Sequence, residues 1–205
     1  MIVTQAPDAQ APPPPIDGRR QRTLDSRARI IAAMLDLTRA GHITVSAELV
    51  AEHARVGLRT VFRHFKDMDS LYREMSLAIE GRLREEVSLA FVSTHWRGRL
   101  DELIQRRTAI FETIAPYKRA EAAHRHRSKV LEQDIGRMAA LMRYILGAAL
   151  PPSVTDDSLL FEALDLLLSF EVWSRLRREQ GLDALRARAV LEAAVNRLLA
   201  GVDVA

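Results

Sequence analysis

Residues 46 to 71 read "SAELVAEHARVGLRTVFRHFKDMDSL", and this stretch decides the fold. Ser46 places a hydroxyl where a helix N-cap needs one, Glu48 follows in the first turn, and Leu49, Val50 and Ala54 form an apolar stripe to about His53. A tight turn comes next. A second short helix is predicted from Leu58 to His64, anchored by Val61, Phe62 and Phe65, and Asp67 then caps the helix that follows. Two short helices joined by a turn, the second rich in cations, are what a helix-turn-helix requires: the first braces across a nucleic-acid backbone while the second lies in the major groove. Ala51 is small where the two helices must cross, and Val56 and Val61 are apolar where the crossing is filled.

Charge is distributed to match. Net charge is only +3, so the whole-chain balance says little about partners. Between His53 and Lys66, however, stand Arg55, Arg59, Arg63 and Lys66 with no acid among them. From Pro151 to Ser174 the reverse holds, with Asp156, Asp157, Glu162, Asp165 and Glu171 and no cation. A polyanion is attracted to the first region and repelled by the second. The outward side of the second helix is predicted to carry Gly57, Leu58, Arg59, Thr60, Arg63 and His64. Arg59 has the fork that reads a guanine edge, Thr60 and His64 suit phosphate or base contacts, and Lys66 a phosphate.

Elsewhere the periodicity is helical, with no strand alternation, and the fold class is all-α with about nine helices. Residues 1–22 hold most of the prolines and few bulky apolar side chains, so a disordered tail ending in the basic "RRQR" of Arg19 to Arg22 is expected. Such an arm can track phosphates or enter a minor groove. Helix one is predicted over 25–40, with Gly41 as its C-terminal cap. Residues 68–94 read as a long connector, followed by helices near 99–114, 118–125, 128–149, 156–180 and 183–200, with breaks at Pro116, at Pro151 and Pro152, and at Gly181. The resulting division is a tail over 1–22, a helix-turn-helix domain over 23–67 and a helical domain over 68–205, to which the resemblance described below assigns DNA binding and, in turn, ligand binding and dimerisation. With 205 residues, no cysteine, no secretory signal and no apolar run near the roughly 20 residues of a membrane span, the chain is expected in the cytoplasm.

Enzyme chemistry finds little support in the residues. No histidine pair stands four apart with an acidic partner, and neither a Gly-rich phosphate loop nor a nucleophile elbow is present, so no catalytic residue, metal ligand or cofactor is assigned. His124 and His126 read as solvated helix-surface residues. A helical ligand-binding or protein-interaction module that never meets DNA is the alternative reading.

The stretch from Ser46 to Leu71 resembles the DNA-binding segment of the TetR family of bacterial transcriptional regulators. Ser46 stands at the capping threonine, Val50 and Ala51 at the family's Ile-Ala pair, Ala54 and Val56 at the turn, Thr60, Phe62, His64 and Phe65 at its Thr, Tyr, His and Phe positions, and Leu71 at the closing leucine. Three positions depart: the turn glycine is Arg55, the tyrosine Phe62, and the lysine after the next cap Met68, with Lys66 placed to replace it. The resemblance implies a repressor that binds a palindromic operator as a homodimer through Ser46, Arg55, Gly57, Arg59, Thr60, Phe62, Arg63, His64 and Lys66. It also implies release by a small molecule held in the C-terminal helices, where Phe111, Met138, Met142 and Trp173 supply apolar surface and Tyr117 and His124 polar contacts at the rim. The residues themselves favour an apolar inducer. From Leu159 to Trp173 apolar residues fall on more than one face, and Ala189, Ala193 and Ala194 make the last helix approachable, so these helices are expected to form the subunit interface.

Overall fold

A computed structural model of the chain describes residues 18–87, 89–124 and 129–202. Among these, regular structure is entirely helical: α1 (Gly18–Arg39), α2 (Ala47–His53), α3 (Leu58–His64), α4 (Met68–Val87), α5 (Trp96–His124), α6 (Lys129–Ala149), α7 (Pro152–Thr155), α8 (Ser158–Leu167), α9 (Phe170–Ser174), a π-helical turn (Arg175–Glu179) and α10 (Ala184–Leu198). No helix among the described residues is long and apolar enough to cross a membrane.

The N-terminal helices are set by local chemistry. Gly41 takes φ +102° after α1, and its N–H and that of His42 donate back to the carbonyls of Thr38 and Leu37, closing the helix as a Schellman motif. Asp67 caps α4 reciprocally: its Oδ1 accepts from the Ser70 N–H at 2.8 Å, and its own N–H donates to the Ser70 hydroxyl. Ile30, Met34, Val50, Val61 and Leu71 are buried together, and the same apolar cluster continues without a gap through Met75 and Leu83 to Ile110, Phe111, Trp173 and Leu191. A second cluster, around Leu100, Ile104, Leu146, Leu164 and Val195, fills the far end of the C-terminal helices.

Four elements differ from the sequence reading. First, α1 begins at Gly18, inside the expected tail, so Arg20, Gln21 and Arg22 lie on a helix, with the Arg22 Nε donating to the Gly18 carbonyl; residues 1–17 lie outside the described residues. Second, α4 stops at Val87 rather than near Thr94. Glu102 and Arg106 on α5 hold residues 89–93 in an irregular path: the carboxylate accepts from the N–H groups of Val92 and Ser93, and the guanidinium donates to the carbonyls of Leu89 and Ala90. Third, α5 runs straight through Pro116. Proline costs a helix one N–H bond and one close contact, and here the buried Ile114, Tyr117 and Ala120 on either side hold the chain helical. Fourth, the single helix expected over 156–180 is divided at Ser169, whose Oγ accepts from the Val172 N–H and starts α9 afresh.

Candidate nucleic-acid interface

The turn between α2 and α3 is built by backbone bonds. The Arg55 N–H donates to the Glu52 carbonyl and the Val56 N–H to the Ala51 carbonyl, both at 3.0 Å, which is again a Schellman closure. That closure puts Arg55 at φ +53°, the one non-glycine residue with positive φ among those described. Ser46 caps α2 by accepting from the Leu49 N–H. Gly57 precedes α3 without a side-chain cap, in an ordinary extended conformation.

From the opposite side, α3 is fixed by Val61 (1% exposed) and Phe65 (3%). The Arg27 guanidinium lies 5.2 Å from the centre of the Phe65 ring and pairs with Glu74 at 2.8 Å, tying α1, α3 and α4 together. The Tyr72 hydroxyl, wholly buried, accepts from the Val45 N–H ahead of α2. What remains outward is Arg55, Gly57, Arg59, Phe62, Arg63 and Lys66, all exposed, with Thr60 half-buried at their edge. Phe62 was expected to anchor α3 inward; at 49% exposed it instead stands on the outer face among the cations. His64 is half-buried, its Nε2 is enclosed without a partner, and burial, then Arg63 and Arg27, hold its pKa below the ordinary value. Its surroundings favour the uncharged ring, with one nitrogen turned inward.

The residues expected to line a ligand site are only partly brought together. Phe111, Met138 and Met142 share a cavity of about 110 Å³ between α5, α6 and the α8–α9 turn. Tyr117 lines a smaller neighbouring cavity of about 40 Å³, bounded also by Ile79 and Leu83 of α4 and sharing Ile114, Lys118 and Met138 with the first. Trp173 lies behind Phe111, at 6.5 Å between ring centres, and its Nε1 donates to Glu112, so it backs the cavity without lining it. His124 ends α5, and its side chain lies outside the described residues, as does His126.

Sequence reading overlooked Arg107, which also lines the larger cavity and is 2% exposed. A signal was present: Leu103, Ile104, Arg107, Ile110, Phe111 and Ile114 recur at helical spacing, so Arg107 occupies the middle of an apolar stripe. Two links were likewise invisible in the sequence. The Arg39 Nε at the end of α1 donates to the Tyr117 hydroxyl at 3.2 Å, and the Ser76 hydroxyl on α4 donates to the buried Glu121 on α5 at 3.3 Å.

These features define a helix-turn-helix mounted on a helical C-terminal bundle. More particularly, the fold is that of the TetR-family regulators: it is similar to the structure of a Rhodococcus sp. protein assigned to that family (TM-score 0.64, 19% identity, covering 85% of this chain and 99% of that one). It is similar also to a TetR transcriptional regulator from Rhodococcus sp. RHA1 (TM-score 0.54, 16% identity, 88% of this chain and 98% of that one). No family model and no curated protein matches the chain at the level of sequence.

Proposed function

We propose that the protein is a DNA-binding transcriptional regulator of the TetR type, not an enzyme, which works in the cytoplasm as a homodimer on a palindromic operator. The observation that carries the reading is the outer face of α3. Its exposed cations Arg59 and Arg63, with Arg55 and Lys66 at either end, stand on a helix whose inner face is locked into a core. Such a face offers phosphate and base-edge contacts while its scaffold stays rigid.

Repression and release by a small ligand complete the proposal. The smaller cavity beside α5, which shares Ile114, Lys118 and Met138 with the larger, adjoins two polar links, Tyr117 to Arg39 and Glu121 to Ser76, which connect the C-terminal helices to α1 and α4. A molecule that repositions α5 therefore acts on the helices that carry α3. Coupling of this kind is typically about 1–3 kcal/mol. The test is fluorescence anisotropy of the purified protein on DNA from upstream of its own gene, with scrambled DNA of equal length as competitor and at more than one salt concentration. Tighter binding to the upstream fragment supports the reading; equal binding to both leaves α3 a non-specific basic surface and defeats it.

A further inference from the structure

Arg107 is the most deeply enclosed cation among the described residues, and the fold only partly accounts for it. Its Nη1 donates to the Leu168 carbonyl at the C-terminal end of α8, at 3.1 Å, and its Nη2 to the Met142 carbonyl in α6. A guanidinium has five N–H donors, these neutral carbonyls occupy two, and the Nε has no partner. Asp165, the acid that acts on it electrostatically, is itself bound by Arg143 at 3.1 Å. A buried charge without a directly paired counter-ion is costly to a fold. Most of its neighbours in the cavity are apolar, among them Phe111, Ile114, Met138, Met142 and Phe170, and the same wall carries Asp165 and Ser169. At the other end, Lys118 adds a second cation, paired at 2.9 Å with Glu121; Glu171, also on the lining, is exposed to solvent.

We propose that this cavity binds a small amphipathic anion, a monocarboxylate bearing a short alkyl chain, with its carboxylate on Arg107 and its apolar part against Phe111, Met138 and Met142. The proposal rests on the regulatory reading above and names the class of its effector. Arginine is suited to the role because its planar donors grip a carboxylate in two-pronged fashion. The cavity volume of about 110 Å³ is smaller than the apolar cavity of about 150 Å³ that takes one benzene, so it limits the occupant to a short alkyl chain. A neutral amide of the same shape offers the guanidinium one acceptor oxygen and no charge, and a doubly charged anion brings its second charge to a wall that already carries Asp165 and Glu171.

The experiment is calorimetric titration of the full-length protein, without DNA, with propanoate and butanoate and with the corresponding neutral amides. Binding of either acid in the millimolar range or tighter, with its amide at least about ten-fold weaker, is the expected result, that ratio being the loss of one charge-assisted hydrogen bond. Arg107→Met keeps the length and removes the charge, and should bring acid and amide to equal affinity. Met138→Trp fills the cavity and should abolish binding of the acids. Acid and amide binding alike to the wild-type protein, or neither acid binding, overturns the proposal even if the Arg107→Met chain does not fold. Operator binding, followed separately, divides the two readings. Acids that bind but leave DNA affinity unchanged sustain the site and defeat ligand release. Amides that release DNA while the acids do not bind sustain release and defeat the anion site.

Discussion

At Arg55 the backbone takes φ +53°, a conformation that costs a side-chain-bearing residue about 1–2 kcal/mol relative to glycine. Arg55→Gly relieves that strain but gives the unfolded chain more freedom, worth about 0.4–1 kcal/mol in the opposite sense. The net expectation is a gain of about 0.5–1 kcal/mol in urea unfolding, with Arg55→Ala gaining nothing; equal gains from both would show that the benefit comes from removing charge. The same residue scale separates reading from attraction. Arg59→Ala should weaken operator binding by about 1–3 kcal/mol and relax discrimination against scrambled DNA. Lys66→Ala should weaken both DNAs alike and flatten the salt dependence by about one unit. Anisotropy titrations over a range of salt read out the two effects, and reversed behaviour would exchange the two roles.

Among elements, the loop between α4 and α5 is held so closely that Gly98 has no room for a side chain: an added Cβ would lie 2.7 Å from the Ser93 Oγ and 2.8 Å from its Cβ. Gly98→Ala gains about 1 kcal/mol of helix propensity and loses about 1–3 kcal/mol to the clash, so the thermal midpoint should fall. In a Ser93→Gly background the same change should raise it, and a fall in both backgrounds would place the strain elsewhere. The junction of α5 with α9 and the π-helical turn depends on Glu112. Its carboxylate is gripped by both ends of the Arg177 guanidinium, at 2.8 and 2.9 Å, and also accepts from Trp173. The Arg177 hydrogen bond is the main reason its pKa lies below the ordinary value. A lowered folded pKa means that stability is fully present above the ordinary carboxylate pKa of about 4.3 and is lost as pH falls below it. Thermal melts from neutral pH downward should therefore decline less steeply below that point for Glu112→Gln than for the wild type; parallel slopes would remove Glu112 from the account.

For the whole molecule, the question is which apolar surface the chain leaves uncovered. On α8, Leu159 is 81% and Leu166 65% exposed, and at seven residues apart they share one face. On the adjacent α10, Val190 and Leu198 are 37% and 39% exposed. Pairing these two helices with their symmetry mates would form a four-helix interface. Leu167, beside Leu166 on the same helix, packs half-buried against its own subunit's second core cluster. Leu166→Arg should thus give folded monomers by light scattering at micromolar concentration, with operator binding lost, while Leu167→Arg should destabilise the subunit itself. A folded Leu166→Arg protein that remains dimeric would assign the interface to another face.

What the sequence determined by itself was local. The cap at Ser46, the reciprocal box at Asp67, the glycine stop at Gly41 and the apolar positions Val50, Val61 and Phe65 each follow from bonds or periodicities spanning a few residues, and their chemistry is complete within the segment. At Arg55 only the resemblance, which puts a glycine at that turn, pointed to an unusual backbone, and the positive φ itself came from the structure. Tertiary structure alone decided where α4 ends, since the bonds that replace helix over residues 89–93 come from Glu102 and Arg106 on another helix. It decided likewise that α5 passes through Pro116, because packing on both sides outweighs one missing N–H. Phe62 turned outward and Arg107 inward against their residue types, since side-chain chemistry predicts burial only on average, whereas the neighbouring helices determine which face of α3 or α5 is enclosed.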